Sequence, residues 1–152
     1  MLVIEGFYGR QIFIPEDRFY YPRKGLWLRP DEEGVLVIGV SQSTVVLVSG
    51  FTYLEYVVEE GQELETDDHV AFAETYKAMQ NIETPLPGTV LRLNRAVEGE
   101  NAFLMDEHYY EEGWLFALRP REELKLEEIF SDAKACQESL LRYEFCGKAP
   151  PK

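Results

Sequence analysis

Hydrophobic residues along this chain occur in short runs that are separated by glycine, proline and charged turns. Seven runs are rich in Val, Leu, Thr and aromatic residues, the composition that favours β-strands. They are residues 34–40, 43–49, 51–58, 69–75, 79–84, 88–94 and 113–119. A surface helix of the same length could also hold the run 43–49. The spacing of the runs predicts an all-β sandwich or barrel.

Proline residues mark two breaks in this pattern. Two prolines stand before the run 88–94, and a new strand has to begin there because proline cannot donate to a strand ladder. Beyond Pro120 the hydrophobic period changes to steps of three and four, which is typical of an amphipathic helix. Pro120 and the acidic Glu122 suit a helix N-terminus. We predict helices over 121–143, broken near Ser131–Asp132, that pack across the sandwich.

Composition and charge narrow the class of protein. The chain has 152 residues, 45% of them hydrophobic, which suffices for one domain but not for two. Acidic residues outnumber basic ones by 28 to 15, and the formal net charge of -13 disfavours nucleic acid and anionic membranes as partners. Glu5 and Arg10 interrupt the first thirteen residues, which therefore resemble neither a signal peptide nor a membrane span. We expect a cytoplasmic protein.

The sequence contains no familiar catalytic or metal-binding motif. Two cysteines and two histidines do not form a metal-ligand cluster at known spacing. A glycine-rich phosphate loop and a Gly-x-Ser-x-Gly elbow are both missing, and runs of carboxylates at loop positions are typical of a solvated surface. We therefore expect no catalytic residues, no metal, and reduced thiols at Cys136 and Cys146.

One lysine stands where two predicted strands meet. The stretch AFAETYKAMQNIETPLPG has Lys77 between the runs 69–75 and 79–84, without glycine, proline or asparagine at its centre. Pairing of the two runs leaves Tyr76 and Lys77 near the apex of a hairpin, where the lysine side chain projects outward. A protein that carries a covalent group needs this geometry, because the amine must reach a modifying enzyme and then several enzyme clefts.

These residues resemble the glycine cleavage system H protein family, whose lysine motif is Glu-Ser-Val-Lys-Ala followed by Pro-x-x-Gly and Val-Asn. Here the matching residues are ETYKA, followed by MQNIETPLPGTVLRLNRAV. YYPRKGLW and YEEGWLFALRP resemble the family's opening motif and its Tyr-x-x-Gly-Trp-Leu run. The implied fold is mainly β, a barrel-sandwich hybrid of the lipoyl/biotinyl type with a C-terminal helical region. The resemblance also implies an N-terminal extension at 1–14, a carrier domain at 15–145 and a loose tail at 146–152.

The resemblance also implies a cofactor and three site residues. Lys77 would bear lipoate in amide linkage. Glu74 and Gly88 match positions that the family uses for recognition by the lipoylating enzyme, a lipoate ligase or a lipoyl/octanoyl transferase. Independently of the family, Gly88 next to Pro87 indicates either a positive φ or a close backbone approach that a side chain would obstruct.

The function implied by the resemblance is transport without catalysis. The lipoyl-lysine would shuttle an aminomethyl group between glycine decarboxylase (P protein), aminomethyltransferase (T protein) and dihydrolipoyl dehydrogenase (L protein). A tether raises the effective concentration of its reactive end at each partner, and a cleft can shelter a labile adduct from water. The acidic surface would select basic faces on these partners.

Some positions depart from the family pattern and leave the partners open. Gly25 stands where the family has histidine, Tyr76 replaces a small aliphatic residue, and Asn81 stands where aspartate is common. Alternatives are an H-like lipoate carrier that serves heterodisulfide-reductase-like sulfur oxidation or a lipoyl relay, and an unmodified relative with a structural or binding role. A biotin carrier is a further alternative, although Lys77 lacks the two flanking methionines of that class.

Overall fold

The computed structural model describes residues 1–107 and 109–145, and the eleven strands in these ranges form three antiparallel β-sheets. The strands are β1 (Leu2–Phe7), β2 (Arg10–Ile14), β3 (Phe19–Tyr21), β4 (Leu26–Pro30), β5 (Leu36–Val40), β6 (Phe51–Tyr56), β7 (Glu63–Leu64), β8 (His69–Thr75), β9 (Met79–Glu83), β10 (Gly88–Leu93) and β11 (Phe116–Pro120). The helices are α1 (Gln42–Val48), α2 (Leu104–Glu107), α3 (Leu126–Ile129) and α4 (Ala133–Phe145), with 3₁₀ turns at Arg95–Val97 and Glu100–Phe103.

Two of the sheets enclose the main core. The larger has the strand order β3-β4-β5-β11-β10-β7, and the smaller has the order β6-β8-β9. Leu28, Ile38 and Leu118 of the larger sheet belong to one hydrophobic cluster with Leu54 and Ala73 of the smaller sheet, and all five are fully buried. Side chains from both sheets therefore share one core, as the predicted sandwich requires.

The first fourteen residues form a third sheet, which we call the N-terminal hairpin (β1 and β2). Tyr8 and Gly9 at its tip both have positive φ, as a type I′ turn requires. Its buried side chains pack on Trp27, Cys136 and neighbouring residues in a second core cluster; they are Ile4, Phe7, Ile12 and Ile14. Sequence analysis predicted no strands here, nor at β3, β4 or β7.

The preferred interpretation of 43–49 as a strand is wrong, because this run lies in α1. Val45 and Val48 are buried three residues apart, which is a helical spacing. The helix ends at Val48, and the φ angles of 62° at Ser49 and 100° at Gly50 no longer fit an α-helix. Burial of this apolar face outweighs the preference of its valines for strands.

The C-terminal helices also differ from the prediction. Pro120 is the last residue of β11, and the first helix begins only at Leu126. The predicted break near Ser131–Asp132 is present, since Ser131 pairs with Tyr20 through two backbone hydrogen bonds. Helix α4 packs against the N-terminal hairpin and β3, not across the sandwich.

The predictions for the cysteines and for the C-terminal tail can be compared with the structure only in part. Cys136 is a buried free thiol. His108, Cys146 and the predicted tail 146–152 lie outside the described residues. None of the helices in the described ranges is both long and apolar enough to cross a membrane.

Candidate functional site

Lys77 lies at the tip of the β8–β9 hairpin, in a turn that is shaped by the side chain of Thr75. The Thr75 hydroxyl accepts hydrogen bonds from the backbone N–H groups of Lys77 (3.1 Å) and Ala78 (2.9 Å). It donates to the carbonyl of Ala78 at 2.8 Å, and the Thr75 N–H donates to the same carbonyl at 2.9 Å. A threonine at this position therefore closes the turn without glycine or proline.

The lysine side chain is exposed, and so are its neighbours. Tyr76 and Met79 are exposed to 74% and 53% of their maximum, which is unusual for large apolar residues. Lys77 forms no ion pair with a described residue, whereas Lys24 is held by both Asp67 and Glu83. The Lys77 amine can thus be reached by another molecule.

A second layer of contacts fixes the turn to the rest of the protein. The N–H of Tyr76 donates to the carbonyl of Gly50 at 3.3 Å. Phe51 follows Gly50 in the chain, and its N–H donates to both carboxylate oxygens of Asp106 at 3.0 and 3.1 Å. A Cβ added to Gly50 would lie 2.7 Å from Asp106 Oδ2 and would displace this carboxylate, and the φ of 100° also favours glycine here.

Asp106 differs from an ordinary surface carboxylate because it is half-buried and its pKa is raised. Burial raises its pKa to about 6, while the hydrogen bond from Phe51 lowers the pKa and the charge of Glu107 raises it further. A half-buried aspartate with this pKa is mostly ionised at neutral pH and changes charge at mildly acidic pH.

Two clefts border the lysine hairpin and α1. The first, which we call the lysine cleft, has a volume of about 470 Å³ and includes Lys77 itself; Arg10, Val46, Leu47, Gly50 and Asp106 also line it. The second, which we call the strand cleft, has a volume of about 220 Å³ and a mixed lining that includes Arg23, Lys24, Gln80, Asn81 and the apolar Leu26 and Ile82.

A larger cavity of about 680 Å³ elsewhere has no lining residue in common with the lysine cleft. It lies beside Arg18, whose guanidinium stacks on Trp27 and donates to the carbonyl of Tyr110. Because these partners occupy the arginine, we assign it a structural role, and the candidate site remains the one at Lys77.

The other two predicted site residues lie in different environments. Glu74 is exposed on β8, in the same hairpin as Lys77 and opposite Met79 on β9. Gly88 is buried in the larger sheet, where it pairs with both Pro120 and Leu64. A Cβ at Gly88 would lie 2.2 Å from the Arg119 carbonyl oxygen, so the close backbone approach was predicted correctly, but its φ is not positive.

Sequence analysis missed three residues that shape this site: Thr75, Gly50 and Asp106. The dipeptide Ser49–Gly50 is a turn signal that could have indicated the end of α1. No local pattern around Asp106 indicates that its carboxylate reaches the backbone of Phe51, 55 positions earlier in the chain.

The fold and the lysine together define a class of protein. A β-sandwich with a lysine at the tip of a hairpin is the barrel-sandwich hybrid of lipoyl and biotinyl domains. A crystal structure of a glycine cleavage system H protein from Mycobacterium marinum superposes with a TM-score of 0.69. The match covers 87% of this chain and 99% of that one at 18% identity, and it supports the fold alone.

Sequence comparison identifies the family within this class. The family model of the glycine cleavage H-protein matches residues 19–142. The glycine cleavage system H protein of Thermus thermophilus is 34% identical over 127 residues, which cover 84% of this chain and 95% of the relative. That of Shewanella oneidensis is 30% identical over 111 residues, covering 73% and 84%. The chain belongs to the glycine cleavage H-protein family.

Proposed function

We propose that this protein is the lipoyl carrier of a glycine cleavage system and that Lys77 bears the lipoyl group. The observation that carries the proposal is the exposed Lys77 on a braced hairpin, in a chain of the glycine cleavage H-protein family. When attached, lipoate supplies a disulfide–dithiol pair that can take up and release a carried group. The proposed partners are glycine decarboxylase, aminomethyltransferase and dihydrolipoyl dehydrogenase, in the cytoplasm.

The chemistry of Lys77 fits the attachment of a carboxylic acid. A primary amine attacks the carbonyl carbon of an activated lipoyl donor, loses one proton, and displaces the leaving group as the amide bond forms. A lipoate ligase or a lipoyl/octanoyl transferase would supply that activated donor. Thr75 holds the backbone of the turn, so the long side chain and its acyl group provide the motion.

Glu74 and Gly88 would contribute to recognition by the lipoylating enzyme in different ways. Glu74 is exposed beside the lysine and can interact with a basic surface of that enzyme, an effect that salt would weaken. Gly88 is buried, and it would act by keeping β10 and β11 close together instead of touching the enzyme.

Intact mass spectrometry tests the attachment. The protein is co-expressed with a lipoate ligase, and we expect one lipoyl adduct that is lost in Lys77→Arg and retained in Lys125→Arg. Lys125 is another exposed lysine and serves as the matched control. If a known lipoyl domain is modified under the same conditions and this chain is not, the carrier proposal is wrong.

Glycine–bicarbonate exchange tests the partner. We expect the lipoylated protein to support this exchange with a cognate glycine decarboxylase, and Lys77→Arg to abolish it. Normal reduction by dihydrolipoyl dehydrogenase without any exchange would contradict the assignment to glycine cleavage while leaving the carrier role intact.

A further inference from the structure

The turn that presents Lys77 exposes a large side chain on either side of the lysine. Tyr76 is exposed to 74% of its maximum and Met79 to 53%, and the intervening Ala78 is small. Large aromatic and thioether side chains are ordinarily buried, at least in part. Two of them within four residues form an exposed apolar patch beside the amine, which we call the lysine patch (Tyr76 and Met79).

The fold itself does not need either side chain at these positions. Thr75 closes the turn through its hydroxyl and its backbone N–H. The hydrogen bond that ties the turn to Gly50 comes from the backbone N–H of Tyr76, which every residue except proline can supply. Because both side chains lie largely in water, their burial within the chain contributes little to stability. The lysine patch is therefore available for contact with another molecule.

The lysine patch has a defined position on the protein surface. A Cβ added to Gly50 would lie 3.6 Å from Cδ2 of Tyr76, so the ring lies beside the loop between α1 and β6. Met79 pairs with Glu74 across β8 and β9, and cross-strand partners place their side chains on the same face of a sheet. Hydrogen bonds hold the backbone at the turn, so a partner that binds the patch has little of this chain to order.

The location of the patch indicates which partner it contacts. An enzyme that acylates Lys77 has to bring the amine to an activated acyl donor, and residues one and two positions away then lie within its contact surface. Tyrosine often dominates the binding energy of an interface, and methionine adapts to irregular apolar surfaces. The exposed Glu74 beside Met79 adds a carboxylate. The complementary surface is an apolar depression with a basic edge, next to the site of the acyl donor.

We propose that the lysine patch is the surface by which the lipoylating enzyme recognises this chain, with Tyr76 as the specificity-determining residue and Met79 as its apolar neighbour. The inference rests on the proposed function, because it requires Lys77 to be the acceptor. Neither side chain takes part in the formation of the amide bond. The two side chains set how tightly the acceptor binds and leave the reaction at the amine unchanged.

The dependence of the lipoylation rate on acceptor concentration tests the role of Tyr76. A lipoate ligase that modifies the parent chain is supplied with lipoate and ATP, and intact mass spectrometry follows the product. We expect Tyr76→Ala to raise KM for the acceptor by about tenfold or more, with kcat within about twofold of the parent. Tyr76→Phe keeps the ring and should restore most of the binding.

Val57→Ala is the matched control for truncation of an exposed apolar side chain. Val57 is exposed to 50% of its maximum, and its N–H donates to Val70, at the opposite end of β8 from the lysine turn. We expect this variant to keep the KM and kcat of the parent. Urea unfolding of each variant shows whether it is folded under the conditions of the assay.

Several outcomes would overturn the inference. They are an unchanged KM in Tyr76→Ala, an equal rise in Val57→Ala, and a rise that is explained by the unfolded fraction of the variant. Normal lipoylation of Tyr76→Ala together with a loss of glycine–bicarbonate exchange would assign the patch to glycine decarboxylase instead. Absence of a lipoyl adduct on the parent chain would overturn the proposed function as well, so the two failures are distinguishable.

Oxidation of Met79 by peroxide gives a second readout of the contact. The Lys77→Arg chain is used because it cannot be acylated at this position, and the ligase is added in excess with lipoate and ATP. We expect the ligase to slow the formation of methionine sulfoxide at Met79 by about fivefold or more, since an interface excludes water and peroxide. Met1, exposed to 67%, should oxidise at an unchanged rate. No slowing at Met79, or equal slowing at both methionines, would contradict a contact at the lysine patch.

Discussion

The backbone N–H of Tyr76 donates to the carbonyl oxygen of Gly50 at 3.3 Å, which joins the lysine turn to the loop between α1 and β6. Gly50 has a φ of 100°, and a Cβ at this position would lie 2.7 Å from Asp106 Oδ2. The position of Lys77 therefore depends on a glycine 27 residues earlier in the chain and on a carboxylate 29 residues later.

Substitution of Gly50 by alanine should destabilise the protein for two separate reasons. The positive φ alone costs about 1–2 kcal/mol for an alanine, and the contact with Asp106 Oδ2 at 2.7 Å should add about 1–2 kcal/mol. Gly61→Ala is the matched control, because Gly61 has a φ of 92° and nothing within 4 Å of an added Cβ. Urea unfolding measures both losses, and equal losses would contradict the role of the Asp106 contact.

Asp106 should make stability depend on pH in a specific window. Its folded pKa of about 6 lies above the ordinary value of 3.8, so the folded state holds this proton more tightly than the unfolded chain. Its contribution to stability is present below pH 3.8 and is lost as the pH rises through 6. Asp106→Asn lacks this titration and can still accept from Phe51.

The Asp106→Asn comparison is made by urea unfolding of both proteins at about pH 4 and about pH 7.5. We expect the variant to gain about 1 kcal/mol relative to the parent at the higher pH, a figure reduced for the partial exposure of the site. A difference that does not change with pH would show that the environment of Asp106 does not disfavour its charge.

Gly88 and Glu74 should affect lipoylation through different mechanisms. Gly88→Ala places a Cβ against the Arg119 carbonyl at 2.2 Å, and we expect a loss of about 2–3 kcal/mol in unfolding free energy. Glu74→Ala should change stability by less than about 0.5 kcal/mol, because its side chain is exposed. If Glu74 contributes to recognition, its variant lipoylates more slowly while it unfolds normally.

Parallel assays separate these two effects. Urea unfolding and the initial rate of lipoylation are measured for the parent, Gly88→Ala and Glu74→Ala. A Gly88→Ala protein of unchanged stability would refute the close approach of β10 and β11. An unchanged rate for Glu74→Ala at low salt would exclude a recognition role for that carboxylate.

Cys136 should resist thiol reagents in the folded protein. Burial raises the pKa of its thiol to about 12, so almost none of it is ionised at neutral pH. In a Cys146→Ser background, we expect labelling of Cys136 by a disulfide reagent to be at least about a hundredfold slower in the native state than in urea. Rapid labelling without denaturant would contradict the packing of α4 on the N-terminal hairpin.

The lysine hairpin was predictable because its signals are local. Strand β8 runs from His69 to Thr75, as the composition of this run predicts, and the prolines before Gly88 separate β9 from β10. Strand-favouring composition and proline breaks act over a few residues, so they can be interpreted without knowledge of the fold. The exposure of Lys77 follows directly from strand pairing.

The surroundings of the lysine could not be predicted in the same way. Gly50 and Asp106 come from distant parts of the sequence, and only the packing of α1 and α2 brings them to the turn. Helix α1 was assigned as a strand because four of its seven residues are valine or threonine, and burial of one face overrides that preference. The N-terminal hairpin was missed because the first thirteen residues were considered only as a signal peptide or a membrane span, and the turn signal Tyr8–Gly9 was not used.

Thr75 holds the backbone of the lysine turn in one conformation. Its hydroxyl binds the backbone of Lys77 and Ala78, so flexibility of the turn adds little to the reach of a group on Lys77. The distance that such a group can move is then set by the length of the Lys77 side chain and of the group itself. For the lipoyl group proposed on Lys77, this means that a partner enzyme has to bring its catalytic centre within the length of the modified side chain from a fixed point, so the distance at which the partner docks, and not the motion of the carrier backbone, limits delivery.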